Sequence, residues 1–324
     1  MANSIKEQII KQLAAGTFVS GQTIANSLGI SRAAVSKHIK TIIDMGLDVY
    51  CLTGKGYKLA KPLVLLNKNE IEGFCSEHDI TTKIEVHSII DSTNDFLKRR
   101  VPTQVSCGQV CVAEFQSAGR GRRGRQWVSP FGSHIYMSMY WPLMQGMSAA
   151  MGLNVVAALA IADAIKSLYD INVELKWPND IYLNGVKLAG ILIELEGQAL
   201  EVAHCIIGIG VNVDMPIKAA ENIDQDWTDL QSQVKEKINR NELVAKLMTS
   251  LQARLTIHNE TGIETMLNDW HNKDCFLNCT VNLTTGAKEI QGIARGINSQ
   301  GALLLDVDGK VQAIYGGEVS LRKL

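Results

Sequence analysis

The sequence predicts an α+β multidomain chain: a winged helix-turn-helix, a central mixed-sheet domain and a small C-terminal β-barrel. Three observations predict it. The first sixty residues read as three short helices followed by a hairpin. From about residue 68 strands and helices alternate. The last fifty residues hold short strands parted by glycines. The length of 324 residues suffices for two or three domains, placed at 1–65, 66–271 and 272–324. With 46% hydrophobic and 20% charged residues, composition excludes a disordered chain.

In the first domain Ile5, Ile9, Ile10 and Leu13 share one helical face, and Gly16 stops that helix. Ser20 caps a second helix, Gly29 permits the turn, and Ser31 caps a third that runs to about Asp44. Val35, Ile39 and Ile42 face the core of that third helix. Arg32, Ser36, Lys37 and Lys40 form a polar face suited to a major groove, as in a helix-turn-helix over about 21–40. Val49–Leu52 and Tyr57–Leu59 then flank a turn carrying Lys55, the tip of a wing. Residues 1–60 carry net charge +4 on a chain of −1, which marks a nucleic-acid-binding head on a mildly acidic body. The competing reading is a packing or dimerisation module with a solvated basic face. Lys61–Asn67 is a short linker.

In the body, strands are expected at Thr82–Ile90, Val110–Phe115, Ile135–Trp141, Val173–Trp177, Ile181–Leu183, Lys187–Leu195 and Glu201–Ile209. Asn184-Gly185 makes a two-residue hairpin turn. Helices are expected at Asn94–Arg99, Ser148–Leu168, Asn241–His258 and Ile263–His271. The C-terminal strands are Thr280–Leu283, Glu289–Ile297, Ala302–Asp306, Val311–Ile314 and Val319–Leu321, with turns at Gly286, Gly301 and Gly309. Seven scattered cysteines fit reduced thiols better than a metal site at Cys107/Cys111 or Cys275/Cys279. No signal peptide is read. The longest apolar stretch, Val155–Ile165, is broken by Asp163 and too short to span a bilayer. The expectation is a cytoplasmic protein without a membrane partner.

Gly119, Gly121 and Gly124 satisfy the dinucleotide fingerprint, but no helix follows, and no acid stands between Glu114 and Asp163 to bind a ribose. What stands here is four arginines in seven positions, Gly119–Arg125, between two strands. Such density repels itself when empty and is neutralised by a polyanion, so residues 118–125 are read as a phosphate-handling loop, mobile until a ligand orders it.

These residues bring the chain close to a known family. Asp91-Ser92-Thr93-Asn94, Gln116–Trp127, Lys176-Trp177-Pro178-Asn179-Asp180, Lys187–Leu192 and Gly208–Asn212 resemble motifs of the bifunctional biotin–protein ligase/biotin operon repressor family. Ser31–Val35, Gly54–Tyr57 and Gly316–Arg322 match it too, so the resemblance covers nearly the whole chain in order. It implies a biotin/lipoate-ligase-like central domain and an SH3-like C-terminal barrel. It implies that biotin and MgATP give biotinoyl-5′-AMP, which acylates a lysine of a biotin carboxyl carrier protein. No tightly bound prosthetic group is expected.

By resemblance, Ser92, Thr93, Asn94, Gln116, Arg120, Gly121, Arg122 and Lys187 bind biotin. The nucleotide falls to Arg120, Arg122, Arg123, Trp127, Asn179, Asn212 and Arg322. Lys187 and Arg120 are the catalytic candidates, and Asp180 is a candidate magnesium ligand. Ser31, Arg32, Ser36, Lys37, Lys40 and Lys55 are the DNA-binding candidates, for an operator of biotin synthesis genes. Biotinoyl-AMP is the expected corepressor, favouring a homodimer. Alternatives are a ligase whose head no longer reads DNA, a biotin-sensing repressor without ligase activity, and a lipoate ligase.

Overall fold

In the computed structural model, three helices and a hairpin build the head: α1 (Ala2–Leu13), α2 (Gly21–Leu28), α3 (Arg32–Asp44), β1 (Val49–Leu52) and β2 (Gly56–Leu59). The structure describes residues 2–76, 82–197, 201–221, 223–285, 288–316 and 319–323. Gly286 and, within the C-terminal motif, Gly317 and Glu318 lie outside them. The capping residues act as expected: Ser20 accepts from the Thr23 amide and Ser31 from the Ala34 amide. Ile9, Ile10, Leu13, Ile24, Val35, Ile39 and Ile42 close the core between the helices.

The central body is built on a seven-stranded mixed sheet. Its strands are β3 (Ile84–His87), β4 (Val110–Ala113), β5 (Ile135–Leu143), β6 (Glu174–Lys176), β7 (Asp180–Leu183), β8 (Val186–Glu196) and β9 (Ala203–Val211). They lie in the order β3-β4-β5-β9-β8-β7-β6. Only β3 and β4 run parallel; every other pair is antiparallel. The helices are α4 (Lys68–Ser76), α5 (Thr93–Lys98), α6 (Leu153–Tyr169), α7 (Ile217–Ala220), α8 (Arg240–Thr261) and α9 (Leu267–His271). α6 is apolar on every side and buried between the sheet and α8. By length and composition Met147–Tyr169 would pass for a membrane span, yet 61% of it is buried inside the fold.

Some expected elements differ in extent. The first body strand shrinks to four residues because Ile90 leaves the ladder and bridges Gln116 instead. The long central helix starts as a 3-10 turn, Met147–Ala150, before α6. α4 was not foreseen; Ile71 and Cys75 give it a buried side too short to register as a period.

The C-terminal domain is a five-stranded antiparallel sheet. It consists of β10 (Thr280–Thr285), β11 (Lys288–Ile297), β12 (Leu303–Val307), β13 (Lys310–Ile314) and β14 (Val319–Lys323), ordered β13-β12-β11-β10-β14. It is bolted to the body: Leu175 exchanges backbone hydrogen bonds with Lys273 and Cys275, and Trp177 Nε1 donates to the Gly301 carbonyl.

The head is fastened as well. Phe131, from the body, is 1% exposed and lies inside the head's core with Met45 and Leu47. Its amide donates to the Met45 carbonyl. Beneath it, Glu114 and Arg240 form a buried ion pair at 2.7 Å. Arg240 also donates to the Val64 carbonyl, and Glu114 accepts from the Leu66 amide. The linker is thus pinned along its length, and the paired charges keep hydrogen-bond partners on every side.

Candidate active site and nucleic-acid interface

The first seven residues of β8, the C-terminal end of the neighbouring β9 and the loops after β3 and β4 enclose a cavity of about 610 Å³. Every position the sequence assigned to biotin, nucleotide or magnesium lines it, from Ser92 at one end to Arg322 at the other.

At one end α5 places a row of buried polar groups. Ser92 Oγ caps the helix by accepting from the Asp95 amide, so its hydroxyl has a structural duty beside any ligand contact. Gln116 Oε1 accepts from the Thr93 amide and hydroxyl at 2.9 and 3.1 Å. Ser138, fully buried on β5, donates to both Thr93 Oγ1 and Asn94 Oδ1. Asn94 Nδ2 donates to Glu194 Oε2 at 2.8 Å. These interlocked amides and hydroxyls are fixed before any ligand arrives, which preorganises them for a small polar group. Ser138 and Glu194 carry no motif, so sequence reading missed them.

The middle is governed by Trp127. Gly190 and Gly210 are partners across β8 and β9, and the indole packs on both. Its Nε1 has no acceptor among the described residues. Lys187 Nζ lies over the Trp127 ring, 5.6 Å from its centroid, and 2.8 Å from Asp180 Oδ1. Asp180 therefore neutralises Lys187. No group of three metal-ligating side chains occurs among the described residues, so Asp180 fits only as a lone carboxylate beside an ion that arrives on the phosphates.

The arginine loop closes on itself: the Gly121 amide donates to the Arg125 carbonyl at 2.7 Å, and residues Arg122–Gly124 form one 3-10 turn. No helix follows, so the glycine pattern is not a dinucleotide fold. Arg122 donates to Asn179 Oδ1 at 2.8 Å, and burial pushes its pKa below the ordinary value. Arg120 pairs with Asp95 and Glu194. That hydrogen bond from Arg120 holds the Asp95 carboxyl below the usual range. Arg123 and Arg125 are exposed at the rim. Asn212 Nδ2 donates to the Thr228 carbonyl, which fixes the loop that ends in Asp229. Lys176, quoted only as part of a motif, also lines the cavity and donates to Tyr182 OH at 2.8 Å; burial lowers its pKa. Arg322 reaches in from β14.

On the head, Arg32, Lys37 and Lys40 are exposed on α3 and Ser36 is half-buried between them; Lys55 is exposed at the wing turn. Ser31 is the helix cap. The reader helix and wing thus present cations outward, remote in sequence from the cavity.

Known proteins agree with this geometry. Residues 86–212 match the biotin/lipoate A/B protein ligase family, residues 6–58 an HTH domain, and residues 276–322 the biotin protein ligase C-terminal domain. The bifunctional ligase/repressor BirA of Escherichia coli (strain K12) is 43% identical over 320 residues, 99% of this chain and 98% of that protein. The chain belongs to the bifunctional biotin ligase/repressor family. A biotin–[acetyl-CoA-carboxylase] ligase of Mycobacterium tuberculosis is 32% identical over 73% of this chain and 88% of its own. The solved biotin protein ligase of Aquifex aeolicus, in complex with biotin and ATP, superposes with a TM-score of 0.63 at 28% identity, covering 75% of this chain and 99% of that one. This family member is accordingly a biotin–protein ligase that carries a helix-turn-helix DNA-binding domain.

Proposed function

We propose that the ligase works in two steps within this cavity: biotin and ATP give biotinoyl-5′-AMP and pyrophosphate, and a carrier-domain lysine then takes the biotinoyl group. A carboxylate is a poor electrophile, so its oxygen must first attack the α-phosphorus and make AMP the leaving group. The enzyme has to bring two anions together and screen their repulsion. Ser92, Thr93, Asn94 and Gln116 hold the ureido ring. Trp127 offers a face to the adenine, and Asn179 and Asn212 stand beside the nucleotide. Lys187, Arg120 and Arg122 neutralise the carboxylate and α-phosphate as charge develops, and Gly121 lets the loop backbone approach the ligand. Arg123 and Arg322 meet the outer phosphates. Asp180 is the carboxylate that would help hold a magnesium ion, which would screen the phosphate charges when bound. The acceptor lysine attacks the anhydride carbonyl, losing a proton and expelling AMP.

One observation carries this reading: the ureido-type cradle, Lys187 and the arginine loop share one cavity. Incubation with biotin, ATP and a biotin carboxyl carrier domain, followed by mass spectrometry of the acceptor lysine, tests it; no added biotinoyl mass would refute it.

The same chain acts at DNA through Ser31, Arg32, Ser36, Lys37, Lys40 and Lys55, in a cytoplasmic setting. One short reader helix makes few phosphate contacts, so operators of biotin synthesis genes are bound by a homodimer that biotinoyl-AMP favours. The outward cations on α3 and the wing favour this over a ligase with an inert head. Operator binding measured with no ligand, with biotin and with a non-hydrolysable adenylate analogue is the check.

A further inference from the structure

Arg120 does not end in the cavity it lines. Its guanidinium reaches past the pocket wall to two carboxylates that do not line it, Asp95 on α5 and Glu194 on β8. Nη2 donates to Asp95 Oδ1 at 2.6 Å and to both oxygens of Glu194, at 3.0 and 2.9 Å; Nη1 donates to Asp95 Oδ2. Two acids thus compensate one arginine, and Glu194 also holds Asn94 of the cradle. Lys98 leans on the same acid from outside, 4.0 Å from Glu194 and 2.7 Å from Glu196. An anion entering the cavity must therefore win Arg120 from carboxylates that already satisfy it.

We infer that Asp95 and Glu194 are positioning residues forming a latch that holds Arg120 off the substrate anion until the adenylate takes their place. This rests on the reading that Arg120 serves the ligand. Biotin alone offers one carboxylate, set against two. The adenylate offers a charged acyl-phosphate group beside the acyl carbonyl, whose oxygens can accept two hydrogen bonds from one guanidinium. Glu194 ties the latch to occupancy, because the amide of Asn94 that it orients belongs to the biotin cradle. The latch thus weakens any anion that engages Arg120, the activated intermediate included, by the strength of the ion pairs it must break.

The experiment is calorimetric titration of the full chain with a non-hydrolysable biotinoyl-adenylate analogue and, separately, with biotin. It uses the parent, Asp95→Asn, Glu194→Gln, Arg120→Ala and the Asp95→Asn/Arg120→Ala double variant. Asparagine and glutamine keep the shape and one acceptor each, and thermal melting confirms the fold. Asp95→Asn should tighten the analogue about fivefold, the scale of one part-exposed ion pair that the analogue has to break, and tighten biotin by no more than that. Glu194→Gln should act in the same direction. In the Arg120→Ala background the Asp95 substitution should change neither affinity. Weaker binding in Asp95→Asn, no change in either affinity, or an effect that survives loss of Arg120 overturns the latch. If Arg120→Ala alone leaves the analogue's affinity untouched, the role given to Arg120 fails, and the latch fails with it, while the ligase assignment stands.

Discussion

Trp127 rests on Gly210 so closely that a Cβ there would lie 2.6 Å from indole Cε2. On the neighbouring strand a Cβ at Gly190 would lie 3.0 Å from Cζ3. The two glycines are a seat for the indole, and no larger residue would leave it room. Gly210→Ala should displace Trp127 and weaken ATP about tenfold, the scale of one lost aromatic stack, with little change in biotin affinity. Equal losses for both ligands would mean the sheet, not the stack, had been damaged.

Lys187 stands 2.8 Å from Asp180 before any substrate arrives. Lys187→Met should slow adenylation by a factor on the order of 100 or more while biotin affinity changes far less, because developing charge is what the ammonium meets. Single-turnover formation of adenylate is the measurement. Lost binding with an unchanged chemical step would contradict the assignment.

The arginine loop is closed at its neck by the Gly121 amide on the Arg125 carbonyl and the Trp127 amide on the Gly119 carbonyl, and two of its four cations, Arg123 and Arg125, stand exposed at the rim. Amide exchange across residues 118–125 should slow with the adenylate analogue bound and slow much less with biotin. Arg120→Ala should release adenylate to solvent faster than the parent in a filter-retention assay. Identical retention would show that the loop does not seal the site.

His134 is completely buried, its Nδ1 accepts from the Val213 amide, and burial lowers its pKa to about 4 from an ordinary 6.5. The unfolded chain then binds the proton more tightly than the native one. Stability is full above pH 6.5 and falls as pH drops toward about 4, by up to roughly 3 kcal/mol. His134→Asn, which keeps an acceptor, should flatten the chemical-denaturation midpoint across that interval. An unchanged slope would remove His134 as its cause.

Phe131 fills the core of the head from the body's side. Phe131→Ala should destabilise the head by about 3–5 kcal/mol and split unfolding into two transitions, while biotinylation continues. A single transition and unaltered operator binding would contradict that anchoring role.

Local signals carried most of the fold. Caps at Ser20 and Ser31, the Asn184-Gly185 turn and the periodicity of α3 each act through neighbours in the chain, so sequence suffices for them. The residues that line the cavity were legible because motifs named them. What escaped was non-local: Ser138 supports Thr93 across 45 positions, Glu194 supports Arg120 across 74, and Phe131 joins a core built from residues 9–59. None of these follows from a period or a spacing; each exists only once the sheet has closed.

Phe131 and the pinned linker pack the head against the body, so changing the angle between reader helix and cavity would cost a buried aromatic contact and the linker's hydrogen bonds. Two such chains paired through their bodies would work as a rigid caliper. The gap between its jaws would be set by the pairing surface and could not stretch to suit the DNA. Inserting about five base pairs between half-sites, half a turn of the duplex, would put one half-site on the far face and out of reach.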